Sequence, residues 1–221
     1  MRVGAGPVGP PRDPALASAL AAALAGFALV FGGARERFWP RMTRLALGLG
    51  AVALLAEPDL RSLRAGPPQA AAGLGSAGLL YGVFVAGDRL ARRVLPRGAE
   101  EVDALYALSD LEPPGRLAAR LALVIAPAEE LFWRGLVQGR LAKRFGRWAG
   151  AALAAVAYGL AHLPGRNLTL VGAATTAGAF WSALRALGAS MGTLVVSHAV
   201  WDVVIFLVAP TARGRTRAGG P

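Results

Sequence analysis

The sequence contains no cysteine, only two histidines, and few acidic residues, with 13 Asp and Glu against 24 Lys and Arg. The absence of cysteine excludes disulfide bonds, thiol catalysis and thiolate metal ligands. His162 and His198 are therefore the only imidazole groups available for acid–base or metal chemistry. Apolar residues, in contrast, make up 55% of the 221 positions, and the mean hydropathy is +0.47. This composition is too apolar for an ordinary soluble domain.

Long runs without charge account for this composition. Residues 15–34, 65–87 and 167–184 carry no charged side chain. Each run is long enough, or nearly so, to cross a hydrocarbon core of roughly 30 Å at about 1.5 Å per residue. We therefore predict an all-α, polytopic transmembrane helical bundle of about seven spans, within a range of about six to eight. Such a chain is a multi-pass integral protein of the lipid bilayer, and we expect the cell membrane.

The spans divide the chain into one domain with two tails. We predict a disordered Gly/Pro-rich tail at 1–14, a transmembrane domain at 15–209 and a basic tail at 210–221. The predicted spans are 15–34, a short one around 45–56, 69–87, 117–139, 148–163, 167–187 and 188–209. In the third span, the spacing of Gly78 and Gly82 would allow close approach of another helix. The linker 88–116 has an amphipathic middle, which predicts a position on the membrane surface.

The net charge of +11 does not predict nucleic-acid binding. The arginines lie between the apolar runs, as in loops that orient membrane helices and contact anionic headgroups. No basic stripe is interleaved with aromatic residues, so we expect no nucleic-acid partner.

The stretch "AEELFWRG" at 128–135 places three charges within an apolar span. Charges at membrane depth are costly and usually functional. Glu130 and Arg134 are spaced i,i+4 and can pair on one helix face. Glu129 is rotated by about 100° and escapes this pairing, so it is free to face a cavity and to transfer protons. Pro127 removes a backbone hydrogen bond and predicts a kink beside Glu129.

The other polar residues within predicted spans come in pairs. Tyr158 and His162 are spaced i,i+4, as are His198 and Asp202. At about 1.5 Å per residue, Glu129 lies at a depth of roughly 15–17 Å, His198 at roughly 15–18 Å and His162 at roughly 21 Å. Asp202 lies about one helical turn further in than His198. These depths predict a single site near the middle of the membrane.

The three pairs resemble the motifs of the CAAX-protease and bacteriocin-processing family of intramembrane proteases, also known as CPBP or ABI. That family is marked by Glu-Glu-x-x-x-Arg, Phe-x-x-x-His and His-x-x-x-Asn/Asp. Here the motifs read "EELFWR" (129–134), "YGLAH" (158–162) and "HAVWD" (198–202). The resemblance covers residues 117–209, the motif-bearing core. Tyr158 replaces the usual phenylalanine, which should have a mild effect.

The resemblance implies an endopeptidase, CAAX prenyl endopeptidase-like, that hydrolyses peptide bonds of membrane-associated peptide or protein substrates, prenylated CAAX peptides among them. It implies that Glu129 is the general base and activates a water together with His162. His198 and Asp202 would stabilise the developing oxyanion. Arg134 would hold Glu130 and brace the helix, and Tyr158 supports the site. We therefore expect Glu129 to matter more to turnover than Glu130.

Asp202 leaves two mechanisms open. An ionised carboxylate repels an oxyanion, so Asp202 must carry a proton or orient His198 instead. The alternative is a zinc site built from Glu129, His162, His198 and Asp202, because zinc accepts imidazole and carboxylate ligands. The family has been described both as metalloproteases and as metal-independent glutamate proteases. The usual zinc-protease spacings are absent, and we expect a metal-free site without a cofactor.

Two other functions compete with proteolysis. A non-catalytic membrane protein, such as a bacteriocin-immunity or scaffolding protein, is the main alternative, and the complete set of motifs argues against it. A transporter is the other, because buried Glu and His also mark ion pathways. The sequence shows no internal repeat of the kind that transporters often carry.

Overall fold

The computed structural model describes residues 13–61 and 65–211, and within these ranges all regular secondary structure is helical. The predicted all-α bundle is thus confirmed. Most of both predicted tails lies outside the described residues, namely 1–12 and 212–221. The helices outside the segment 114–145 are α1 Pro14–Phe31, α2 Phe38–Ala56, α3 Pro67–Val94, α4 Gly98–Tyr106, α8 Arg147–Ala161, α9 Leu168–Ala186 and α10 Met191–Val203.

Residues 114–145 form one continuous helix, here called the motif helix. It comprises α5 Pro114–Arg120, α6 Ala126–Glu130 and α7 Gln138–Phe145, joined by π-helical segments at Leu121–Ile125 and Leu131–Val137. Pro127 has no N–H to donate to the preceding turn, and the first π-helical segment ends just before it. Each π-helical segment changes the rotational register of the helical turns beyond it. Both glutamates of the first motif therefore lie on a short α-helical turn between two wider ones.

The helices pack mainly as neighbouring pairs. Helix α8 packs on α9, α7 on α8, and α10 on α3, while α2 runs along the motif helix. Gly146 alone joins α7 to α8, with a φ of 89°. This positive φ is readily available to glycine, so the chain reverses within one residue. Helix α10 is extended by a π-helical segment at Val204–Val208.

Among the residues that the structure describes, three helical segments are long and apolar enough to cross a membrane: Pro14–Phe31, Pro67–Val94 and Met191–Val208. Large apolar side chains point away from the bundle, and Leu29, Leu55 and Leu123 are each 75% exposed. An apolar outer surface is costly in water and is covered by lipid in a membrane protein. The count of about seven spans stays a prediction.

The third span differs in two ways from what the sequence indicates. Helix α3 continues beyond residue 87 to Val94, so its last turns carry arginines. The close approach that the spacing of Gly78 and Gly82 would allow is not made within the described residues, because a Cβ built at either would meet no atom within 4 Å. The close approach is at Gly73, where a Cβ would lie 2.7 Å from the Val196 side chain of α10. Glycine is needed on the face that packs, and sequence spacing alone did not identify that face.

Candidate active site

Glu129 lies on α6 and is almost completely buried, with 3% of its surface exposed. The hydroxyl of Tyr158, on α8, donates a hydrogen bond of 2.7 Å to its Oε2. As the i,i+4 argument predicts, Glu129 takes no part in the ion pair of Glu130 and Arg134. The structure adds a partner that the sequence did not predict, because Tyr158 and Glu129 are on different helices.

Glu130 is fully buried and binds two partners through the same oxygen. Its Oε1 lies 3.1 Å from Nη1 of Arg134 and 2.7 Å from Nδ1 of His198. The contact with Arg134 confirms the predicted pair. The contact with His198 was not predicted, and it ties the motif helix to α10. The contact with His198 is a hydrogen bond in which Nδ1–H donates to the carboxylate, whereas the contact with Arg134 is an ion pair.

His162 caps the C-terminal end of α8 and is buried. Its Nδ1 lies 2.8 Å from the backbone carbonyl oxygen of Tyr158. A carbonyl oxygen only accepts hydrogen bonds, so Nδ1 carries the proton, and in the neutral ring Nε2 keeps its lone pair. Phe27 and Phe31 of α1 and the Tyr158 ring surround the imidazole, with centroid distances of 5.0, 5.9 and 4.9 Å. Aromatic packing thus fixes its orientation.

His198 and Asp202 lie on one face of α10, as their spacing predicts. The His198 Nε2 atom is 3.6 Å from Oδ2 of Asp202, which is an ion-pair distance and too long for a hydrogen bond. Since Nδ1 of the same ring is bound to Glu130, the imidazole lies between two carboxyl groups. The indole of Trp181, on α9, stacks on the imidazole with a centroid distance of 3.9 Å.

A single cavity of about 450 Å³ brings the motif residues together. Its wall includes Glu129, Tyr158, His162, His198 and Asp202. Glu129 and the two histidines thus line one cavity, and the catalytic roles predicted for them stay predictions. Arg134 and Glu130 lie behind this wall, both at 1% exposure or less.

The remaining walls of the cavity are mostly apolar, although Asp88 and three threonines also line it. These walls are formed by the inner faces of α1 to α4, α9 and α10, and include Phe84, Val94, Leu95, Val102 and Leu105. A cavity with mostly apolar walls and a few polar groups is typical of sites for small ligands.

The alternative of a zinc site depends on how the candidate donors are grouped. Among residues 13–61 and 65–211, no three His, Asp or Glu side chains are grouped to hold a metal ion. Nδ1 of His198 is bound to Glu130, and Nδ1 of His162 is bound to a backbone carbonyl, so Nε2 is the ring nitrogen that either histidine could offer to a metal. The expectation of a metal-free site stays a prediction.

One family model matches the part of the chain that contains these site residues. Residues 114–204 match the family model described as type II CAAX prenyl endopeptidase Rce1-like. The match confirms the resemblance to CAAX proteases across the part of the chain that holds all three motifs. The family is one of membrane-embedded CAAX-type endopeptidases. Comparisons with curated proteins and with solved structures found no match.

Proposed function

We propose that the protein is a multi-pass intramembrane endopeptidase that cleaves membrane-associated peptides, with prenylated CAAX-type peptides as the preferred class. One observation carries the proposal: Glu129, His162, His198 and Asp202, from three helical segments, line one largely apolar cavity. The family match supports the type of reaction. The substrate, the cell membrane as its location and the roles of the residues are our inference.

Glu129 is the proposed general base. Tyr158 holds its Oε2, so Oε1 is the oxygen that would accept a proton from water. His162 would position the same water through Nε2, which keeps a lone pair when Nδ1 donates to the Tyr158 carbonyl. The water oxygen attacks the scissile carbonyl carbon while Glu129 takes the proton. Glu129 then returns that proton to the leaving amine nitrogen as the C–N bond breaks.

His198 and Asp202 are the proposed stabilisers of the tetrahedral intermediate. Glu130 fixes the His198 ring through Nδ1, so Nε2 is the edge that faces the cavity and Asp202. A proton on Nε2 or on the Asp202 carboxyl would supply a donor to the negatively charged oxygen. Preorganised donors of this kind are worth about 2.7–4 kcal/mol each in other enzymes.

The apolar walls support a substrate with a lipid chain. A volume of about 450 Å³ falls within the ordinary range of ligand pockets, roughly 300–1,000 Å³. Apolar residues of α3 and α4 line the cavity and can cover a hydrocarbon chain. The peptide bond next to that chain would then lie beside Glu129 and His162.

The test is cleavage by the purified protein in lipid nanodiscs. A farnesylated CAAX peptide, its unprenylated counterpart and a transmembrane peptide are incubated with wild type and with Glu129→Gln, and products are identified by mass spectrometry. We expect one internal cleavage of the farnesylated peptide by wild type and none by Glu129→Gln. Equal cleavage by both proteins would refute the role of Glu129. Equal cleavage of both CAAX peptides would refute the preference for a lipid chain.

A further inference from the structure

The residue that stacks on His198 belongs to none of the three motifs. Trp181 lies on α9 and is completely buried. Its ring is nearly parallel to the imidazole, at an interplanar angle of 24° and a centroid distance of 3.9 Å. We propose that Trp181 is a positioning residue that fixes the plane of His198 for catalysis. This inference rests on the proposed function.

The indole is itself fixed by two contacts on α10. Its Nε1 donates a hydrogen bond of 3.1 Å to Oγ of Ser197, which is also completely buried. Its ring meets the edge of Trp201 at a centroid distance of 5.7 Å. Trp181 therefore contacts one residue before and one after His198 on α10, and it cannot rotate away from the imidazole without breaking these contacts.

Trp181 and Glu130 restrain the imidazole in complementary directions. Glu130 binds Nδ1 within the plane of the ring, and Trp181 presses on the face of the ring. The guanidinium of Arg134, which pairs with Glu130, also lies 5.2 Å from the Trp181 ring. These restraints direct Nε2 toward Asp202 and the cavity. If one of these restraints is removed, we expect the His198 side chain to stay in place but its ring to rotate more freely.

The variants separate stacking from hydrogen bonding and from simple packing. Trp181→Phe keeps a flat ring and loses the N–H, Ser197→Ala removes only the acceptor, and Trp181→Leu removes the stacked ring. Phe132→Leu is the matched control, because Phe132 is completely buried on the motif helix and does not line the cavity. Thermal unfolding in detergent shows whether Trp181→Leu and Phe132→Leu are destabilised to a similar degree.

We expect Trp181→Leu to lower kcat by about 10- to 100-fold with little change in KM, because small misplacements of a catalytic group cost rates of this size. Trp181→Phe should restore most of the activity, and Phe132→Leu should keep kcat near wild type. A kcat of Trp181→Leu no lower than that of Phe132→Leu would overturn the proposal.

A second measurement does not depend on activity. The chain has only two histidines, so NMR spectra of histidine-labelled protein contain only two sets of ring signals. Trp181→Leu should move the signals of His198 and leave those of His162 in place. Unchanged His198 signals would refute the positioning role even if wild type cleaves no peptide, whereas failure of wild type to cleave refutes the proposed function alone.

Discussion

Oε1 of Glu130 lies 2.7 Å from Nδ1 of His198, and this contact joins two of the three sequence motifs. The same oxygen pairs with Arg134. Glu130 is therefore more than the partner of a bracing arginine. It is the group that orients the imidazole proposed to stabilise the intermediate.

This relationship predicts different defects for the two adjacent glutamates. Glu130→Gln leaves Arg134 buried without its counter-charge, and breaking such a pair costs about 3–5 kcal/mol. We expect this variant to unfold at a clearly lower temperature. Glu129→Gln, which breaks no ion pair, should abolish turnover with a much smaller loss of stability. Thermal unfolding and peptide cleavage are measured on both, and a dead but fully stable Glu130→Gln together with an active Glu129→Gln would reverse the assignment.

Two variants of Tyr158 distinguish the contribution of its hydroxyl from that of its aromatic ring. Tyr158→Phe removes the donor to Glu129 and introduces the residue usual in the resembled family, so we expect kcat to fall by no more than about 10-fold, or about 1.4 kcal/mol. Tyr158→Ala also removes the ring that packs on His162 at 4.9 Å and lies 4.7 Å from the Arg134 guanidinium. We expect it to lose measurable activity. A Phe variant as inactive as the Ala variant would make the hydroxyl essential.

Much of the site could be predicted because helical spacing fixes which side chains share a face. The i,i+4 relations of Glu130 with Arg134 and of His198 with Asp202 are properties of one helix, and the structure has both. Contacts between helices could not be predicted in this way, because they depend on how each helix is placed and rotated against its neighbours. The bond from Glu130 to His198 spans 68 residues, and no local pattern indicates it.

The same limit explains the unforeseen glycine contact and the missed tryptophan. Gly78 and Gly82 have the spacing of a helix-packing motif, yet α3 turns Gly73 toward α10. Trp181 lies in an apolar span in which nothing in the sequence sets it apart from a packing residue. One feature of the sequence could have pointed to Trp181: its helix, α9, carries no motif but lies between α8 and α10, which each carry one.

The close packing around Gly73 predicts that a larger side chain at this position lowers the stability of the protein. A Cβ at Gly73 would lie 2.7 Å from Val196 and 3.0 Å from the carbonyl oxygen of Thr193. We therefore expect Gly73→Ala to destabilise the protein by about 1–3 kcal/mol, as overpacking usually does. Gly78→Ala is the matched control, and its unfolding temperature should stay at or slightly above that of wild type. Equal losses in the two variants would contradict the packing described for α3 and α10.

Glu101 predicts a pH-dependent attachment of α4 to α9. The hydroxyl and the backbone N–H of Thr169 donate to its Oε2 at 2.7 and 2.9 Å, and they lower the pKa of Glu101. Because the folded-state pKa is lowered, this carboxylate stabilises the fold above its unfolded value of about 4.3 and loses that contribution as the pH falls through the lowered pKa. Wild type should thus unfold at a higher temperature than Glu101→Gln at neutral pH, and the difference should vanish in acid.

The control for this experiment is Glu100→Gln. Glu100 pairs with Arg97 where both side chains are more than 70% exposed, at 74% and 77%. Exposed pairs of this kind contribute little to stability. The Glu100 variant should therefore match wild type at every pH, and a Glu101 difference that grows on acidification would contradict the assigned direction.

Asp202 separates the two mechanisms that the sequence leaves open. If the site works without metal, Asp202→Asn should keep much of the activity, because Asn has a similar shape, can donate to an oxyanion, and is the other residue that the resembled family uses there. If Asp202 binds zinc, Asn is a poor ligand and the change should remove both metal and activity. Turnover is measured for both proteins with and without chelator, alongside the metal content of each preparation.

We expect Asp202→Asn to be active and chelator to have no effect. The reason is geometric: Oδ2 of Asp202 lies 3.6 Å from Nε2 of His198, so an amide nitrogen in the same place could face the same intermediate. His198→Gln is the companion variant, and it should lose turnover in either mechanism. Stoichiometric zinc in wild type that disappears together with activity in Asp202→Asn would overturn the metal-free mechanism. Glu129 would then act on a zinc-bound water or bind the metal itself.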